Sequence, residues 1–389
     1  MINNSKNSGL FSVYLVGFLV ALSVALMTYI NSSFLSSFID ERFIGIIYII
    51  ASIFTIICFL IMPFILKKFG NYKVTLFLVV LELCALLGIA FFQTLPWLIA
   101  IFVINLTLIP LIYFSMDIFL EGLSSNRQTG VIRGIYLTAV NLAWIISASL
   151  GGCILTNNDY WKIYLFSYIF LSPVVLVLIL SLRKFKDSPY EATHLWQTVK
   201  SVWGNKDVRY IFMAVFLLQF FYAWMVIYTP LYLLNYIDFS WIEIGKIFSI
   251  MLLPFVFIQF LAGKLADRYF GEKEMLSIGF IIMAISTMVM FFVTGKSLLV
   301  WSLILFTSRI GAAMVEVMCD VYFFKKVDNK NANMISFYRM ASPTAYIIGP
   351  LLAILILHTP GFDIRSLFFI LGFIMLFGLR YSLAIKDTK

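Results

Sequence analysis

Charge is what this sequence has least of: 12% of its 389 residues are charged, and 62% are apolar. A soluble globule carries about 25% charged residues, so this chain lacks the polar surface that water requires. The bilayer is the solvent that fits. Cysteine is scarce as well. Cys58, Cys84, Cys153 and Cys319 all fall in apolar stretches without paired spacing. That excludes a disulfide framework and a cysteine-ligated metal, and leaves burial as the default for each. The two histidines, His194 and His358, sit in loops near opposite faces with no nucleophile or metal-ligand constellation beside them. This argues against an integral-membrane enzyme, and neither a cofactor nor a metal is expected. There is no G-x-x-x-x-G-K-[ST] phosphate loop and no loop long enough for a nucleotide domain, which disfavours an ATP-driven pump.

What the sequence does have is twelve apolar stretches, each near the roughly 20 residues that cross a hydrocarbon core. They are residues 11–37, 43–66, 74–93, 97–122, 130–155, 160–182, 209–234, 241–263, 274–294, 298–324, 332–357 and 363–385. The first follows a polar leader, is about twice the length of a signal-peptide apolar region and has no small-residue cleavage pattern behind it, so it is read as retained. Lysine and arginine set the orientation. With the N-terminus inside, 21 of the 28 lie in cytoplasmic segments or helix ends and 5 lie outside, leaving Arg309 and Arg339 within spans. Both termini of a multi-pass cell-membrane protein are therefore expected in the cytoplasm. The net charge of +9 follows from that topology and not from nucleic-acid binding, because no basic face interleaves with aromatic residues. Trp97, Tyr160, Trp161 and Trp241 open spans on the outer side, where amphipathic rings suit the headgroup layer.

One substantial break, residues 183–208, divides the chain into a first half, residues 1–182, and a second, residues 209–389, each with six spans. Within the break, Ser188, Pro189 and Glu191 have the spacing of a helix-starting capping box. Leu195, Trp196, Val199, Val202 and Trp203 then recur at helical spacing, which suits an amphipathic helix on the inner membrane surface or a plain linker helix. The halves repeat one another. Phe43-Ile44-Gly45 and Glu243-Ile244-Gly245 open spans two and eight, about 200 residues apart. Met116-Asp117-Ile118-Phe119 corresponds to Cys319-Asp320-Val321-Tyr322 at an offset of 203.

The loop after span eight reads Gly263-Lys264-Leu265-Ala266-Asp267-Arg268-Tyr269-Phe270-Gly271-Glu272-Lys273 and resembles the loop signature of the major facilitator superfamily. Gly263, Asp267, Arg268 and Gly271 carry the likeness. The first-half loop, Leu66 to Lys73, keeps Gly70 and the basic residues but has no aspartate where the pattern has one. Span five carries Gly134, Ala143, Ser147, Ala148, Gly151 and Gly152 at a spacing similar to the small-residue motif of that superfamily's antiporters, with alanine in place of the usual proline. Close helix packing accounts for the same run. The resemblance implies an all-α polytopic fold of two pseudo-symmetric six-helix bundles around a midplane cavity, lined by spans one, four, seven and ten.

Ionisable groups inside spans are costly, about 2.5–3.5 kcal/mol each on insertion scales, so each calls for a partner, water or a function. Asp117 and Arg133 are expected at similar depth near the inner ends of spans four and five. In the second half Asp320 takes the place of Asp117, and Glu316 and Arg339 are each displaced about one turn deeper, which suggests that they pair across the hairpin of spans ten and eleven. That pair reads equally as a structural salt bridge and as a gate that opens and closes. Glu316 and Asp320, four residues apart, are candidates for proton coupling. Arg309, 11 residues into span ten, stands near mid-membrane with no acid within one turn. The resemblance places it at the substrate, where its charge suits an anionic group; a partner on a neighbouring helix is the plainer reading. Trp224, Tyr228, Gln219, Asn31 and Asn105 are the other candidate cavity residues, although an aromatic stripe such as Trp224, Tyr228 and Tyr232 is more often packing. Glu82, equally deep in span three, falls on a span that the resemblance makes peripheral, which suggests a packing or protonated role.

The expected function is secondary active transport of a small organic solute by alternating access, coupled to protons, with export slightly favoured. A transport-inactive sensor or lipid-handling protein of the same fold is the alternative. The expected partners are the lipid bilayer, the solute and H+, in a monomer.

Overall fold

A computed structural model of the chain describes residues 2–92, 94–123, 129–155, 159–185, 187, 200, 203–257, 271–326 and 337–385. A segment without water around it must satisfy its own backbone, and the helix does so within a single span. The described residues accordingly form helices: α1 Ile2–Thr28, α2 Asn31–Ser36, α3 Glu41–Phe69, α4 Asn71–Phe91, α5 Leu95–Leu123, α6 Thr129–Ile154 and α7 Tyr160–Val177, which runs on into a π turn at Leu178–Leu182. After the central break come α8 Lys206–Asn235, α9 Trp241–Leu252, α10 Glu272–Phe292, α11 Leu298–Lys326, α12 Ala341–Leu357 and α13 Ile364–Ser382.

Among the described residues eleven helices are long and apolar enough to cross a membrane. They match eleven of the twelve expected spans. The eighth expected span, 241–263, begins as α9 and is described only to residue 257. The first span is not one helix: it breaks after Thr28, whose hydroxyl bonds back to the Val24 carbonyl at 2.7 Å, a contact that bends helices. The capping box expected at Ser188, Pro189 and Glu191 lies outside the described residues. Helix α8, the seventh expected span, starts at Asn205, whose side-chain oxygen accepts from the Asp207 and Val208 N–H groups at 3.1 and 3.3 Å.

The chain folds as two compact units, one of residues 1–34 and 50–192, the other of residues 35–49 and 193–389. In the first, α6 and α7 pack on α1 through small residues. Ser147 Oγ donates to the Leu22 carbonyl at 2.9 Å, and Ala143 is buried against Ala21 and Leu22. Ser23 and Ser167 each donate to the other's carbonyl, at 2.9 and 3.0 Å. Gly151 approaches Leu26 and Ile30. The small-residue run of span five therefore does serve close packing.

In the second unit α10 and α11 cross at Gly279 and Gly311, so closely that a Cβ on Gly311 would lie 2.5 Å from the Gly279 carbonyl oxygen. Gly372 of α13 makes a similar approach to the Ala284 carbonyl of α10.

Large apolar side chains cover the outside of both units, among them Phe54, Phe64, Leu180, Phe292 and Leu355. Lipid tails are as apolar as these side chains, so their exposure carries no penalty. The same reason corrects the expectation for the cysteines: Cys319 is buried, but Cys84 and Cys153 face outward.

Candidate functional site

Arg309 lies in the core of the second unit, only 1% exposed. Its guanidinium sits over two rings of α8, 5.0 Å from the centroid of Phe221 and 5.7 Å from that of Tyr222. Aromatic faces attract a cation, more strongly when water is excluded. They do not accept its N–H groups as an anion would, and Arg309 Nη1 is buried without a hydrogen-bond partner. A buried guanidinium nitrogen left in that state has an unused donor, which costs free energy until an acceptor meets it.

Two turns along α11, Glu316 Oε2 accepts from the Tyr222 hydroxyl at 3.2 Å. Tyr222 thus touches both: its ring meets the cation and its hydroxyl meets the acid. The charges of Asp320, Arg339 and Arg309 all reach the Glu316 carboxyl. Asp320 accepts from the Tyr338 hydroxyl at 2.6 Å, and the Tyr338 ring stacks on Phe323 at 4.2 Å. Arg339, next to Tyr338, has an exposed side chain. The structure thus gathers Arg309, Glu316, Asp320 and Arg339 into one electrostatic group, with Tyr222 and Tyr338 as hydroxyl partners of the two acids.

Tyr222 was hidden in the sequence by the stripe of Trp224, Tyr228 and Tyr232, which takes the other side of the helix: residues two apart stand about 200° around the axis. That stripe packs. Trp224 Nε1 donates to the Gly349 carbonyl at 2.7 Å, Tyr228 is buried, and the Tyr232 hydroxyl donates to the Val293 carbonyl at 3.4 Å. Gln219 is partly exposed. In the first unit Asn31 accepts from the Tyr164 hydroxyl at 2.9 Å, and Asn105 donates to Glu82 at 2.5 Å.

Where α5 ends and α6 begins, Arg133 meets Glu121 at 3.4 Å, one turn beyond Asp117, and the charges of both Arg133 and Asp117 reach Glu121. Gly263, Asp267 and Arg268 of the loop signature lie outside the described residues. Gly271 is described, and its N–H donates to Glu274 at 3.0 Å. In the first-half loop, Gly70 takes a left-handed backbone, φ 78°, and the next residue begins α4. There Asp187 supplies a carboxylate from the central break: its Oδ1 accepts from the Asn71 N–H at 2.9 Å. A Cβ on Gly70 would stand 2.6 Å from Asp187 Oδ2. The loop without its own aspartate thus gains one from 116 residues away, a pairing that no local pattern reveals.

Among the described residues no three His, Cys, Asp or Glu side chains are grouped so as to hold a metal ion. The profile of the Major Facilitator Superfamily matches residues 10–333 and 242–387, nearly the whole chain. The chain belongs to that superfamily. No curated protein matches it in sequence. Its fold is similar to the crystal structure of the human organic anion transporter MFSD10 (TETRAN), with TM-score 0.72 and 16% identity over 97% of this chain and 99% of that one. It is also similar to the in meso crystal structure of the POT family transporter PepTSo, with TM-score 0.79 and 10% identity over 96% of both chains. The superfamily fold is all-helical, and the protein is a multi-pass membrane transporter.

Proposed function

We propose that the protein is a proton-coupled secondary carrier that moves a small organic solute bearing an acidic group, by alternating access, with export the favoured direction. The observation that carries this reading is the buried Arg309 guanidinium with an unpartnered Nη1. A fixed cation in a low-dielectric interior attracts an anionic group far more strongly than the same cation in water. The similarity in fold to an organic anion transporter is in keeping with that substrate class. Glu316, linked through Tyr222 to Arg309, and Asp320, one turn further along α11 and held by Tyr338, are the coupling groups of this reading, since a proton arriving at Glu316 alters the field at the guanidinium. Arg339 acts with them, and Asp117, Glu121 and Arg133 form the corresponding inner cluster of the first half. The two halves are residues 1–182 and 209–389, joined by a cytoplasmic linker, with both termini inside the cell and the chain acting as a monomer.

The test is reconstitution in liposomes holding a pH dye, with proton flux recorded against sugars, amino acids, amphipathic drugs and organic anions. Flux driven by organic anions, and lost in Arg309→Ala, is expected. Flux driven only by neutral or cationic solutes, or unchanged by the substitution, overturns the assignment of Arg309.

A further inference from the structure

Glu82 stands 11 residues into α4, near its middle, and is 1% exposed. Asn105 of α5 is fully buried beside it, its Nδ2 donating to Glu82 Oε1 at 2.5 Å and lying 3.7 Å from Met27 Sδ of α1. The two oxygens that remain, Glu82 Oε2 and Asn105 Oδ1, are both buried without a partner. This is unlike Glu316 and Asp320, each of which holds a hydroxyl.

Among the described residues no cation is paired with Glu82. On α5 the acids Asp117 and Glu121 are 12 and 16 residues beyond Asn105, about 18 and 24 Å along the axis. On α7 Lys162 is engaged by Asp159 at 2.6 Å. The phenols on the packed elements, Tyr113 of α5, Tyr160, Tyr164 and Tyr168 of α7, and Tyr14 and Tyr29 of α1, supply no positive charge in either protonation state. On α4 itself Tyr72 and Lys73 lie at the inner end, and Cys84 faces outward.

An ionised carboxylate here would face apolar surroundings with one neutral amide donor, the situation that buried charges avoid. A proton on Oε2 changes the count. The acid then has one donor and one acceptor, the complement of the amide's free oxygen and its N–H, and a single proton supplies the donor that both orphaned oxygens lack.

We propose that Glu82 and Asn105 form a reversible proton-binding site inside the first six-helix half, separate from the Glu316 cluster. Its ligand is one proton, taken from hydronium and returned to water. Only its use in transport rests on the carrier reading; proton binding does not.

Infrared difference spectra of the purified wild type in bilayers, recorded as pH is changed between about 5 and 10, the range in which buried carboxyls titrate, test the site without any substrate. The expected result is a carbonyl band of a neutral carboxylic acid that comes and goes with pH, shifts in D2O, is missing from Glu82→Gln and remains in Glu316→Gln. Asn105→Leu moves the band, and Glu82→Asp keeps a displaced one, which preserves the assignment if Glu82→Gln fails to fold. Spectra in which Glu82→Gln removes no such band mean an ionised Glu82 and overturn the proposal. A Glu82 band unaffected by pH and by D2O means a sealed structural acid and overturns it too. Absence of solute-driven proton flux would count against the carrier reading and leave this result untouched.

Discussion

The crossing of α10 and α11 makes a sharp demand on two positions. A Cβ at Gly311 would meet the Gly279 carbonyl oxygen at 2.5 Å and the Met283 backbone nitrogen at 2.9 Å. Ordinary contact begins at 3.4 Å, so Gly311→Ala forces the helices about 0.9 Å apart, because both obstacles are backbone and neither can rotate away. Overpacking of this kind costs about 1–3 kcal/mol, and the better helix propensity of alanine returns at most about 1 kcal/mol. A net loss of about 1–2 kcal/mol lowers the melting temperature of a unit this size by about 2–8 °C. Gly279→Ala, with 2.7 Å to Val315 Cγ2 and 2.9 Å to the Gly311 oxygen, should do the same. Since both substitutions open one contact, the double variant loses less than the two losses added. Gly295→Ala, with nothing within 4 Å, is the control. The assay is thermal unfolding of the solubilised protein followed by tryptophan fluorescence. A Gly311→Ala protein that melts with the wild type would refute this account of the crossing.

The cap that Asp187 places on α4 gives a second expectation: Asp187→Ala should destabilise by about 1 kcal/mol, read as faster hydrogen exchange at Asn71 and its neighbours, while Asp187→Asn retains part of the protection. The reciprocal serine bonds between α1 and α7 give a third. Ser23→Ala and Ser167→Ala each remove one hydroxyl-to-carbonyl bond while leaving the other's acceptor in place. Each should therefore cost about 0.6 kcal/mol in thermal unfolding and the two losses should add; a double variant as stable as the wild type would contradict the geometry. A fourth concerns pH. Asp40, in an exposed loop, is held down to about 2 first by the side-chain hydrogen bond from Arg42. A depressed carboxyl favours the folded state above its ordinary titration range and loses that favour as pH falls toward 2. Carbon-detected NMR should find Asp40 titrating higher in Arg42→Ala, though still below the usual carboxylate range because the residue-42 backbone N–H keeps donating to it, and no change there would remove the Arg42 side chain as the cause.

Much of the fold is legible because a membrane span announces itself: length, apolarity and sparse charge locate eleven of the spans within a few residues, whereas the break after Thr28 and the π turn at Leu178–Leu182 needed tertiary detail. The site was legible where charge is expensive. Arg309, Glu316 and Asp320 stand out because ionised groups at depth require an explanation. What joins them does not stand out, since Tyr222 is one aromatic among 20 tyrosines and its role depends on which side of α8 meets α11. The same holds for Glu121, which pairs with Arg133 where Asp117 had drawn attention, and for Asp187, distant in sequence from the loop it completes. Trp224 is a case where spacing leaves two readings open, a cavity residue or packing, and its indole is tied to a backbone carbonyl.

A carrier that binds an anionic solute at the buried Arg309 guanidinium must exchange that solute across the membrane. Counterflow tests it most directly: proteoliposomes loaded with an unlabelled organic anion and diluted into a trace of the labelled one. Transient accumulation of label is expected for the wild type and, to a lesser extent, for Arg309→Lys, and none for Arg309→Ala. Undiminished counterflow in Arg309→Ala would contradict it.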